Sequence, residues 1–171
     1  MRQVALLRGV NLGKRQVVMA ELREVLEAAG FINVRTLLAS GNVVLDAKLE
    51  GAKLESKLER VILDGLGLAT DAHVRDADQL EAVIDANPFA PFTRSTPQFM
   101  VVAFMRKAAS AAELEAMGKT ALTGEEWVQG ENCLYIKFPQ GQGPSKLKTP
   151  QLATSRNWNT VTKLAAAARA A

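Results

Sequence analysis

The chain has 171 residues, 48% apolar and 23% charged, with a net charge of +3. That balance belongs to a folded domain with its own core and excludes the polar, highly charged composition of a disordered chain. A single cysteine, Cys133, excludes an internal disulfide and a multi-cysteine zinc site, fitting a reducing, cytoplasmic setting; no stretch approaches a membrane span, so no membrane partner is expected.

The apolar run up to Arg8 predicts a buried strand at about residues 3–8, followed by a glycine-containing loop. Val18, Leu22, Val25, Leu26 and Ala29 recur at helical spacing, with Gly30 as the left-handed cap. Residues 34–38 and 41–45 are β-rich runs around Ala39-Ser40, the pattern of a hairpin. A helix on Leu54, Leu58, Val61 and Ile62 ends near Gly65-Leu66-Gly67, and a short strand around His73-Val74-Arg75 closes a βαββαβ order. That is the ferredoxin-like split βαβ pattern.

Asp76 then caps a helix on Leu80, Val83 and Ile84, and residues 88–97, bounded by prolines, read as a linker. Residues 98–105 form a strong strand. Ser110 and Glu113 make a capping box for a helix that Gly118 is expected to stop, and residues 125–128 and 133–138 pair across Gly130-Glu131-Asn132. A short segment at 145–152 leads to a final helix on Trp158, Val161, Leu164, Ala165 and Ala168. The expected fold is therefore α+β, with two ferredoxin-like halves, βαββαβ and βαββα, packed as one compact protein. The halves span residues 1–75 and 98–171, joined by a helix and linker at 76–97.

All eighteen acidic residues lie between Glu21 and Glu131, so the first twenty and last forty residues carry basic side chains and no acidic ones. Such asymmetry points to a phosphate, nucleotide or nucleic-acid partner. In a split βαβ unit the first and second strands are parallel with the third between them, which brings the first loop and the first hairpin to one sheet edge. Arg8, Asn11, Gly13 and Lys14 would then sit beside Ser40, Gly41 and Asn42, near the first helix's N-terminus. Arg8 can grip two oxygens at once and Lys14 supplies a point charge. The bland reading is that Gly9 and Gly13 form turns, Ser40-Gly41-Asn42 serves the hairpin, and Lys14-Arg15 is solvated charge. Neither a Walker loop nor the dinucleotide glycine triplet is present.

At the other end, Asn157 or Ser155 fits a helix cap and Trp158 a core position, whereas Arg156 at a helix start opposes the dipole and suits a ligand or a distant carboxylate. Arg156 is expected to approach the Arg8 to Lys14 loop and share one anion with it. His73, the lone histidine, and Cys133 read as structural strand residues rather than a dyad. Glu125-Glu126 and Asp76-Asp78 carry no accompanying ligand pattern, so no dedicated metal site is expected. No cofactor and no catalytic residue is assigned.

Leu6-Leu7-Arg8-Gly9-Val10-Asn11-Leu12-Gly13-Lys14, Met19-Ala20-Glu21-Leu22, Gly30-Phe31, Val34-Arg35-Thr36, Ser40-Gly41-Asn42-Val43 and Arg156-Asn157-Trp158-Asn159-Thr160 together closely resemble an uncharacterised bacterial family, domain of unknown function 1697. The resemblance implies an α+β fold, carries no catalytic residues over, and differs where Lys14 stands in place of a common second glycine. The functional expectation is binding, with or without turnover, of a small phosphate- or carboxylate-containing ligand. The alternatives are a nucleic-acid-binding module, disfavoured because only nine residues are aromatic, and a structural or protein-interaction domain.

Overall fold

Strand β1 (Arg2–Leu7) is buried from Gln3 to Leu7, which is why its sequence lacks polar alternation: it lies inside a sheet covered on both faces. A computed structural model describes residues 1–9, 19–37 and 41–170. The elements that follow are α1 (Met19–Ala28), β2 (Ile32–Leu37), β3 (Asn42–Asp46), α2 (Gly51–Leu66), β4 (Ala72–Arg75) and α3 (Ala77–Asp85). Next come α4 (Ala90–Ser95), β5 (Met100–Phe104), α5 (Ala111–Thr120), β6 (Glu126–Gly130), β7 (Cys133–Lys137), β8 (Thr154–Asn157) and α6 (Trp158–Arg169).

The strands form two four-stranded antiparallel sheets, β2-β3-β1-β4 and β6-β7-β5-β8. Both have the ferredoxin-like order, so the α+β expectation holds. The chain divides into two compact units, Met1–Leu80 with Leu164–Ala171, and Glu81–Lys163.

In the first unit Ala5, Leu7, Val43, Leu45, Ala72 and Val74 face Leu22 and Leu26 of α1 and Leu54, Leu58 and Ile62 of α2. Each fully buried leucine or isoleucine here contributes about 1.5–3 kcal/mol. The i, i+4 spacing of Leu54, Leu58 and Ile62 is what puts them on one helical face. In the second unit Val101, Ala103, Met105, Leu134, Ile136 and Phe138 pack with Met117, Leu114 and Trp127.

Two capping boxes form as their sequences require. Ser110 Oγ accepts from Glu113 N while Glu113 returns to Ser110 N, and Asp76 and Gln79 do the same at α3. Three sequence expectations are corrected. The proline-bounded stretch 88–97 contains α4 and a 3-10 turn over Pro97–Phe99. Gly118 does not stop α5, which runs on to Thr120, whose Oγ1 donates to Ala116 O at 2.7 Å; an interior glycine costs only about 1 kcal/mol. β8 is a strand that the sequence did not announce; it follows β7 with no helix between them.

The two edges of the first sheet, β4 and β2, are finished locally. On β4 the outward N–H groups are those of Ala72 and Val74, which donate to Glu59 (3.1 Å) and Glu55 (2.9 Å) of α2, and Arg75 Nη1 donates to Val74 O at 2.8 Å. On β2 the pairing shifts between Ile32 and Arg35, where Asn33 adopts φ +52, a bulge that breaks the edge. Asn33 Nδ2 donates to Asp46 at 2.6 Å and Arg2 lies 3.4 Å from the same carboxylate. The Asn33 amide, with Arg2 beside it, holds Asp46 below its usual pKa. A folded-state pKa below the unfolded one adds stability above about pH 4 that is lost as acid protonates Asp46. Acid titration of unfolding should therefore show a smaller loss below that pH in Asp46→Asn than in the wild type.

Candidate functional site

β1 leaves the sheet at Arg8-Gly9, where Gly9 turns with φ +72, and β3 enters at Gly41 with φ +79. Both conformations lie in the left-handed region that glycine adopts without strain. Leu7 N donates to Gly41 O at 2.9 Å, so the first loop and the first hairpin leave the same end of the sheet. On its other side Arg8 N donates to Asp71 O at 2.9 Å, carrying the β1–β4 ladder one pair beyond β4.

That register sets Asp71 opposite Arg8. Arg8 Nε and Nη2 lie 2.8 and 2.6 Å from the same Asp71 oxygen, and Thr70 Oγ1 donates to Arg8 O at 2.6 Å. The Arg8 and Asp71 side chains are 38% and 35% exposed. A pair that open to water is worth about 0–1 kcal/mol, so it orients the guanidinium more than it stabilises the fold. The two residues line an open cleft of about 380 Å³ with Glu59, Arg60, Leu63, Ala69 and Thr70, within the size range of small-ligand sites.

Asn42 sits at the same sheet end but is fully buried, and its Nδ2 donates to Leu37 O at 3.0 Å across the hairpin. Its amide therefore ties the ends of β2 and β3 together. Asn11, Gly13, Lys14 and Ser40 lie outside the described residues.

Arg156 belongs to the second unit, on β8 opposite Val102. Its Nη1 donates to Ser155 O at 2.9 Å, and burial pushes the guanidinium down to about 10, which leaves it charged at neutral pH. Asn157 is the helix cap: its Oδ1 accepts from Thr160 N at 2.9 Å, and Trp158 begins α6 half-buried.

The family model described as Protein of unknown function (DUF1697) matches residues 1–135. The chain belongs to this family. The matched span of the DUF1697 model contains Arg8, Asn42 and Asp71 and ends before Arg156. A solved structure, that of conserved bacterial protein SP0830 from Streptococcus pneumoniae, is similar with a TM-score of 0.77 and 24% identity, over 99% of this chain and 98% of that one. At that identity the likeness is one of fold. No curated protein matches.

In this DUF1697 chain His73 is buried on β4 opposite Leu6. Cys133 is a buried thiol on β7. Two residues along, Tyr135 donates to Val83 O at 2.7 Å, and burial, with Cys133 beside it, raises its phenol above the usual value. Asp76 is occupied in its capping box, Asp78 pairs with Arg169, and Glu126 lies 3.4 Å from Lys137. Glu125 accepts from Thr123 N at 3.0 Å, while its other oxygen is buried without a partner among the described residues. Among the described residues no group of three or more His, Cys, Asp or Glu is placed to hold a metal. No described helix is long and apolar enough to cross a membrane.

The sequence reading did not associate Asp71, Thr70, Arg60 and Glu59 with Arg8. A signal existed for Asp71, because a ferredoxin-like order sets β4 beside β1. The others are contributed by α2 and the turn before β4, and no spacing in the sequence announces them.

Proposed function

We propose that the chain binds a small phosphate- or carboxylate-bearing ligand at the strand end around Arg8. The observation that carries this is an arginine fork held by Asp71 in the lining of an open cleft to which Arg60 also contributes. Asp71 engages Nε and Nη2, and the remaining guanidinium donors are what an anion's oxygens would take. Asn11, Gly13, Lys14 and Ser40, adjoining Arg8 and Asn42 in sequence, complete the proposed binding set on the first unit.

Mass spectrometry of small molecules released when the purified protein is denatured tests this. A phosphate- or carboxylate-containing metabolite should leave the wild type and be depleted in Arg8→Ala; its absence from both counts against the site. Incubating that metabolite with the protein then separates turnover from binding.

Nucleic acid is the second reading, supported by the basic chain ends. Burial of Phe104 and Tyr135 and half-burial of Trp127 support ranking it second, since single-strand readers stack bases on exposed sheet aromatics. Short RNA and DNA should bind only weakly and with steep salt dependence; tight binding at physiological salt reverses the ranking. A structural or interaction domain is the third reading, and an empty, anion-insensitive protein would favour it.

A further inference from the structure

Edge strands expose rows of unpaired backbone groups, and proteins blunt them or use them. β4 is sealed by Glu55, Glu59 and Arg75, and β2 is broken by its bulge. β8 turns outward at Ser155, whose carbonyl accepts from Arg156. Among the described residues β6 has none of these devices. Met105 N donates to Asn132 O and Phe138 N to Phe99 O, so the even-numbered positions of β7 bond toward β5 and the odd-numbered ones toward β6. Gly130, Val128 and Glu126 therefore bond to Cys133, Tyr135 and Lys137, and the N–H and C=O groups of Trp127 and Gln129 point outward.

We propose that a second copy of this chain adds to β6 as an antiparallel strand, related by a twofold axis through Val128. This register is self-complementary: Trp127 meets Gln129 of the partner in a pair that exchanges both backbone hydrogen bonds, and the twofold repeats it on the other side. Val128, 42% exposed, meets its own copy at the close spacing of a non-hydrogen-bonded pair. The charges agree as well. The strand's only charged residue, Glu126, lies opposite Gly130 of the partner and is already paired with Lys137, so no like charges face each other.

Two five-residue strands fall short of the roughly 1,000 Å² that a stable interface clears, which sets the expected dissociation constant in about the micromolar-to-millimolar range. Sedimentation velocity from about 10 μM to 1 mM spans it. The wild type should shift from monomer toward dimer across that range. Val128→Lys opposes two cations at the axis and should weaken the dimer at least about tenfold. Gln129→Pro removes an outward N–H that β7 does not use, a place where an edge strand tolerates proline, and should weaken it similarly. Thermal melts of the dilute monomers identify a variant that has failed to fold, in which case the other decides. A monomer at every concentration, or a dimer unchanged in the folded variants, overturns the proposal.

Discussion

Glu55→Leu is expected to destabilise the protein by about 1–3 kcal/mol, the cost of leaving one buried backbone donor without its acceptor. Glu55 is buried and accepts from Val74 N at 2.9 Å, and leucine keeps much of the apolar bulk while removing the oxygen. Glu55→Gln retains an acceptor oxygen of nearly the same shape and should lose less than Glu55→Leu, since the bond from Val74 N can still form. Glu59→Ala should cost less than Glu55→Leu, because Glu59 is half-buried and water can reach the Ala72 amide in its place. Urea midpoints rank the variants, and amide exchange at Val74 should quicken in Glu55→Leu beyond the global change. A leucine variant within about 0.5 kcal/mol of wild type would show that the carboxylate does not seal this edge.

The helical stripes, the Ser110 capping box and the Asp76 cap were legible because they are local: Leu54, Leu58 and Ile62 carry the period, and Ser110 with Glu113 carries the start signal, whereas the return bond from Asp76 N to Gln79 is added by the structure. The meeting of the first loop with the first hairpin was legible one level up, from element order, and the bond from Leu7 N to Gly41 O realises it. β8 was not legible. Thr154, Ser155, Arg156 and Asn157 show no apolar alternation, and they become a strand because β5 offers an unpaired edge. α4 was hidden for another reason. Pro91 reads as a breaker, yet it stands in the first turn, where a helix needs no N–H from it. Lys137 Nζ, 5.0 and 5.9 Å from the ring centres of Phe92 and Phe89, packs against this short helix and the residue that caps it.

Around their central strands β1 and β5 the two sheets repeat the same register. Leu7 N bonds Gly41 O where Met105 N bonds Asn132 O, and both acceptor residues have positive φ. Val4 faces Arg75 as Val102 faces Arg156, and each arginine donates from Nη1 to the carbonyl just before it, at 2.8 and 2.9 Å. Arg75 and Arg156 thus finish equivalent edges. Sequence did not reveal this repetition, because cross-strand register rather than residue identity carries it. Arg156 therefore has a structural task that Arg8 lacks, and a test of its part in ligand binding must separate the two.

Thermal melts in phosphate against chloride at matched ionic strength make that separation, since a purely structural loss lowers both midpoints and leaves their difference intact. An anion present at about 100 times its dissociation constant stabilises by about 2.7 kcal/mol, and at about 2–4 °C per kcal/mol for a chain of this size the midpoint rises by roughly 5–10 °C. Arg8→Ala should remove most of that rise. Asp71→Asn should enlarge it, because the carboxylate that now shares the Arg8 fork no longer competes with the anion. Arg156→Ala should lower both midpoints through the lost Ser155 contact and should also reduce the difference if the C-terminal motif serves the same anion. A rise that is absent from the wild type, or unchanged in Arg8→Ala, would assign the Arg8–Asp71 pair to the architecture of the β1–β4 edge alone.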